Sequence, residues 1–165
     1  MPLNTTLIGE LKHEGSNTRK MLALVPADKF DWIPHQKSMK LGRLAKHVAE
    51  LNLWIERILN SEEFDFATAN FSSALPESSE EILKIFDERL AEATAALEKA
   101  TDDDLNKTWT VLRGGHVMFQ MPKKVALRSF SYNHIYHHRG QLSVYLRMLD
   151  IPIPGMYGPS ADEKF

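Results

Sequence analysis

At 165 residues the chain is expected to form one domain, 1–165, with enough polypeptide to bury a single substantial core. Its 43% hydrophobic and 25% charged residues are those of a folded protein, and 20 Lys plus Arg against 22 Asp plus Glu leave a formal charge of -2 with no basic cluster denser than Arg19-Lys20 or Lys123-Lys124, which argues against a nucleic-acid partner. Cysteine is absent, which excludes disulfides, thiolate metal ligands and a cysteine nucleophile; no apolar run is long enough to cross a bilayer, and MPLNTTLIGELKHE lacks the basic-then-apolar order of a leader, so a cytoplasmic protein without membrane partners is expected.

The first predicted helix runs over about 5–25, where Leu7, Ile8, Leu11, Met21, Leu22 and Val25 recur three or four apart before Pro26. Gly15-Ser16-Asn17 weakens its middle by propensity, and His13 reads as a surface residue. A loop over 26–37 carries Phe30 and Trp32, two aromatics expected to tuck against the core. Ser38 is a plausible N-cap for a second helix over 38–60, whose apolar stripe is Leu41, Leu44, Val48, Leu51, Trp54, Ile55 and Ile58. His47 lies on that stripe. Glu50, one turn away, reads first as a solvated helix carboxylate, with ligand or base as the alternatives.

Residues 60–79 read as a long connection: a crossover between distant helices, or a partial lid made by Phe64, Phe66 and Phe71. Ser78 and Glu81 form a capping box for a third helix over 79–100, and Asp102-Asp103-Asp104 after it reads as a solvated turn. From 107 to 121 the pattern alternates around Arg113-Gly114-Gly115, which predicts a short extended hairpin with His116 facing solvent.

The fourth helix, over 124–149, carries His134, His137 and His138 in its middle and stops before Pro152 and Pro154. With Leu127 and Tyr145 as the centre of its stripe, His134 and His138 fall roughly 20° to either side, whereas His137 lies roughly 80° off and Arg139 outside the stripe. Gln141 falls on the histidine side, placed to orient water or substrate. Two imidazoles four apart on one helix face can share a metal ion, and each buried imidazole otherwise needs its own partner. His47 supplies a third from another helix. Such a set leaves coordination positions open, as catalytic metal sites do.

The run from Trp32 through Pro34-His35 to Ser38-Met39-Lys40-Leu41-Gly42-Arg43-Leu44-Ala45-Lys46-His47-Val48-Ala49-Glu50, joined to Asn133-His134 and His137-His138-Arg139-Gly140-Gln141-Leu142, resembles the DinB-like (DinB/YfiT) superfamily of small metal-binding four-helix proteins. The most specific element is the lone histidine of helix two paired with His-x-x-x-His ending in His-Arg-Gly-Gln; the closing Tyr157-Gly158-Pro159-Ser160-Ala161-Asp162-Glu163 is similar to tails in part of that family. The resemblance implies an all-α, up-down-down-up four-helix bundle with a long link between helices two and three, metal ligands His47, His134 and His138, and a homodimer. It also implies chemistry of the family's kinds, thiol-dependent transfer or metal-dependent hydrolysis of a small-molecule substrate.

Three neutral imidazoles leave a bound metal most of its positive charge, and zinc, nickel and manganese are all compatible with such ligands. Water or a low-molecular-weight thiol would be activated there, and without cysteine in the chain the thiol must arrive as a cosubstrate. The competing expectation is a non-catalytic metal-binding or stress-response protein. Glu50 and the Tyr145 hydroxyl are the candidates for holding the outer ring nitrogens of the histidines.

Overall fold

The protein is described here from a computed structural model, over residues 2–163. Helix α1 is Leu3–Leu22, with Arg19 and Lys20 in its last turn, where positive charge suits the exposed carbonyls. Gly15 does not break it. A Cβ at that position would lie 3.0 Å from Leu90 Cδ2, so the missing side chain is what lets α1 approach the helix that carries Leu90. A 3₁₀ turn, Ala27–Lys29, leads into the loop, whose two aromatics tuck in as expected: Phe30 packs on Gly42 and Trp32 meets Tyr145 edge-on at 5.6 Å.

The expected second helix is two, α2 (Leu41–Glu50) and α3 (Leu53–Asn60), with a turn at Leu51 and Asn52. Ser38 is not its cap; Lys40 holds that position without a capping side-chain hydrogen bond, its ammonium donating to Asp31 at 2.6 Å instead. Leu41, Leu44 and Val48 and then Trp54, Ile55 and Ile58 are all buried, but in two different apolar clusters, so the break redirects the stripe without exposing it. The connection that follows contains a short strand, β1 (Glu63–Asp65), before α4 (Ser79–Lys99). Ser78 Oγ accepts from the Glu81 amide at 3.2 Å, but the Glu81 carboxylate receives the Glu77 amide, so the expected capping box is half formed. The reciprocal box is one element later. Thr101 and Asp104 cap each other at the start of α5 (Asp102–Asn106), a single helical turn where a solvated turn was expected.

Strands β2 (Thr108–Arg113) and β3 (His116–Pro122) form the predicted antiparallel hairpin. Its two-residue turn needs positive φ at both central positions, which Gly114 (62°) and Gly115 (78°) supply. The Asp65 carboxylate accepts both of their N–H groups, at 2.9 and 2.8 Å, and β1 adds to β2 in parallel, completing a three-stranded mixed sheet ordered β1-β2-β3. The architecture is therefore helix-dominated, and the expectation of an all-α fold is corrected by this sheet.

The last helical run is α6 (Lys123–Leu127), a π turn (Arg128–Tyr132) and α7 (Asn133–Met148). Asp150, with φ 58°, turns the chain out of it toward Pro152. The interior divides into two apolar clusters. One joins the start of α1, α3, the end of α4 and β2 around Trp109 and Leu127; the other joins the end of α1, α2, the start of α4 and α7 around Leu44, Phe86 and Leu142. Packing of α2 on α7 brings the predicted ligands face to face. The closing segment lies on the helices through Asn17 to Met156 and Arg147 to Asp162, and its last two residues fall outside the described residues.

Candidate metal centre

His47 projects from α2, and His134 and His138 project from consecutive turns of α7. Each offers one ring nitrogen to a common point, and the three nitrogens all lie within 4.8 Å of one another. His47 Nε2 and His134 Nε2 are 3.3 Å apart. That separation is about the edge two nitrogens span at ~2.1 Å from a tetrahedral ion. His47 and His134 are half-buried and His138 is buried, whereas His137 is exposed.

The outer nitrogens fix which atom faces inward. His138 Nδ1–H donates to Gln141 Oε1 at 2.7 Å, which leaves its Nε2 with a lone pair. His134 Nδ1 faces the Phe130 carbonyl at 3.4 Å, with the same consequence. With a lone pair on His134 Nε2, its close approach to His47 Nε2 is favourable only with a proton or a cation between them. Burial, together with His138, His134, Arg43 and Lys46, pushes the His47 imidazole down to about 4, and burial also lowers His134 and His138. Near neutral pH the set is uncharged. Three neutral, inward-aimed imidazoles with no carboxylate among them fit a divalent ion of borderline softness.

The helical stripes thus select the three residues that the structure brings together, although their place on α7 differs from the expectation. Ile135, Arg139, Leu142 and Leu146 are buried and Tyr145 is only half-buried, so the centre of the buried face is not the Leu127–Tyr145 line. The π turn inserts about one residue, or roughly 100° of phase, between them. His134 and His138 consequently lie to one side of the centre of the buried face, His134 half-buried and His138 buried. Arg139, expected outside the stripe, is 3% exposed and pairs with Glu14 at 2.6 Å. The expected outer partners are also corrected. Glu50 pairs with Lys46 at 2.7 Å, and Tyr145 packs on Trp32, while Gln141 and a backbone carbonyl hold the rings.

Beside the triad opens a cleft of about 530 Å³, walled by His47, His134, Glu50, Trp54, Phe66 and Phe71 among others. Such a volume suits a small ligand. Two aromatics of the 60–78 connection, Phe66 and Phe71, are part of its wall and pack on the Trp54 indole, while Phe64 backs the same indole at 5.0 Å. Lys46 ties that segment down by donating to the Ser72 carbonyl at 2.9 Å as well as to Glu50. The connection therefore forms part of the cleft wall, and α3 and α4, the helices it joins, pack directly on each other. Sequence reasoning did not single out Arg57, which also lines the cleft; its only signal was its place one turn after Trp54.

Among the described residues no helix is long and apolar enough to cross a membrane. The model of the DinB family matches residues 1–164. The chain is 27% identical over 152 residues to the uncharacterized protein YrdA of Bacillus subtilis (strain 168), a match covering 91% of this chain and 85% of that protein. In fold it is similar to a DinB-like protein from Bacillus cereus ATCC 10987, with TM-score 0.72 at 23% identity over 94% of this chain and 98% of the other. A DinB-like protein from Bacillus subtilis, YjoA, gives TM-score 0.71 at 17% identity over 92% and 97% of the two chains. With the family model matched almost end to end and the fold shared, the chain belongs to the DinB family.

Proposed function

We propose that the chain is a metal-dependent enzyme of the DinB/YfiT type that activates water or a small-molecule thiol for hydrolysis of, or transfer to, a small electrophile. The observation that carries this reading is the juxtaposition of three neutral, inward-aimed imidazoles with a ligand-sized cleft that shares His47 and His134 as its wall. A divalent ion held there, zinc, nickel or manganese, would supply a Lewis acid that makes a bound nucleophile reactive near neutral pH. The chain's own part is to hold the donors. Gln141 and the Phe130 carbonyl fix the ring orientations, and burial keeps the imidazoles unprotonated. The aromatic wall excludes water on one side of the cleft and offers the electrophile an apolar surface. Within this reading the arrangement of the helices is that of an up-down-down-up four-helix bundle, the working form is a homodimer in the cytoplasm, and a thiol enters as a cosubstrate.

The alternative, a metal-binding protein without turnover, predicts a closed shell; the open cleft favours the enzyme. The deciding measurement is metal content by elemental mass spectrometry on untagged protein purified without chelator. About one equivalent per chain is expected, absent in the His47→Ala, His134→Ala, His138→Ala triple variant and kept in His137→Ala. No metal after incubation with zinc, nickel and manganese, or retention in the triple variant, overturns the site. Metal-loaded protein that turns over no thiol or hydrolysable electrophile in a substrate screen leaves the non-catalytic reading.

A further inference from the structure

The cleft beside the histidines carries a second chemical feature. Arg57 lies across its aromatic wall, with the guanidinium carbon 5.6 Å from the Trp54 ring centre, 5.3 Å from Phe64 and 5.3 Å from Phe71. Its Nη1 is buried and has no hydrogen-bond partner among the described residues. Among the described residues no carboxylate pairs with it. Glu50 is engaged by Lys46, and the Glu56 carboxylate receives the Asn60 side-chain amide. Arg43 and Arg89 line the same cleft, Arg89 paired with Glu92 and Arg43 without an ion-pair partner among the described residues, so three guanidiniums face it against the single carboxylate of Glu50.

An arginine in this position is costly unless something completes it. Burying a guanidinium N–H without an acceptor forfeits a strong, charge-assisted hydrogen bond, and stacking on rings fixes the side chain without supplying that acceptor. The stacking does fix the orientation of the planar fork, which is the preorganisation that recognition of a carboxylate or phosphate requires. We infer that Arg57 is the anion-recognising residue of the cleft, and that the molecule bound beside the histidines carries a carboxylate or phosphate group on an apolar body that lies against Trp54, Phe66, Phe71 and Phe130. The inference rests on the proposed reading of the cleft as a substrate site, but it concerns binding and does not require turnover or a metal.

Calorimetric titration of the protein as purified with 3-phenylpropionate, phenyl phosphate and the neutral 3-phenylpropanamide tests it. At least one anion is expected to bind about ten-fold or more tighter than the amide, the value of one charge-assisted hydrogen-bonded contact. Which anion prefers the site tells carboxylate from phosphate ester. In Arg57→Gln the ratio of anion to amide affinity should fall to about one, and in the triple histidine variant that ratio should survive whatever the change in overall affinity. Equal binding of anion and amide in the unmodified protein, no binding of any probe, or an anion preference that survives Arg57→Gln but vanishes with the histidines overturns it; the last result would place the anion on the metal. Should Arg57→Gln fail to fold, the preference in the unmodified protein and its survival in the histidine variant decide the matter. A protein that contains no metal yet still prefers the anion would separate failure of the metal reading from failure of this one.

Discussion

At the scale of single residues, the three histidines of the proposed metal site depend on atoms that face away from the point where their ring nitrogens meet. His138 can present Nε2 inward because Gln141 Oε1 takes the Nδ1 proton at 2.7 Å. Replacing Gln141 by Leu removes that acceptor, frees the ring to rotate or change tautomer, and should weaken metal binding about 10- to 100-fold while leaving the stoichiometry unchanged. Gln141→Glu keeps an acceptor at the same distance and should restore affinity. Competition with a chromophoric chelator measures both, and an unchanged constant in Gln141→Leu would show that the contact has no part in ligation. The convergence of His47, His134 and His138 was legible in the sequence because helical spacing restricts which side chains can meet. Their outer partners were not. Glu50 had the right chemistry but meets Lys46 instead, and a backbone carbonyl such as that of Phe130 has no residue-type signature.

At the scale of elements, the π turn at Arg128–Tyr132 decides how α7 meets its neighbours. Sequence periodicity assumes a constant advance per residue, so it located the last helix and its histidines but set the buried face wrongly: Arg139 went outside and Tyr145 to the centre. The hairpin, by contrast, was legible to within a residue at its ends because Gly114-Gly115 between alternating apolar positions leaves few other conformations, although the irregularity at Val111/Leu112 was not. Parallel pairing of β1 was not, since three residues of strand carry too little pattern. The π turn is fastened to α1 by Arg128, whose guanidinium grips the Glu10 carboxylate, and one turn on Tyr136 donates to the same carboxylate. Partial burial raises the Glu10 carboxyl, but the hydrogen bonds from Arg128 and Tyr136 outweigh it and leave it below its ordinary 4.5. A carboxylate held lower in the folded than in the unfolded chain binds fewer protons when folded, so its contribution is complete above about pH 4.5 and is lost as pH falls through the lower folded value. Thermal melts of the parent and Glu10→Gln should therefore differ above that pH, with the parent more stable, and converge below it. Melting curves that stay parallel down to acid pH would mean that the pair does not fasten the π turn.

At the scale of the molecule, one buried ion pair joins α1, α7 and the closing segment. Arg139 donates to Glu14 Oε2 at 2.6 Å, to the Glu14 carbonyl at 3.2 Å, to Thr18 Oγ1 at 3.0 Å and to the Tyr157 hydroxyl, which in turn donates to Glu14 Oε2 at 2.8 Å. Arg139 is 3% and Glu14 8% exposed. Two charges so far from water are not held for net stability, because desolvation offsets most of their attraction, but either alone is strongly unfavourable. Arg139→Leu and Glu14→Leu should each lose about 3–5 kcal/mol of unfolding free energy, and the double variant should recover about 2 kcal/mol or more of their sum. Chemical denaturation of the four proteins gives the coupling directly. The same pair should also govern the tail: Tyr157 is 72% exposed apart from its hydroxyl contacts, so in Arg139→Leu it loses one of its two anchors and becomes a faster site for chymotrypsin. Strictly additive losses together with an unchanged cleavage rate would reduce Arg139 to a local packing residue; coupling together with faster cleavage would make it the point at which the closing segment is locked to the helix that carries His134 and His138.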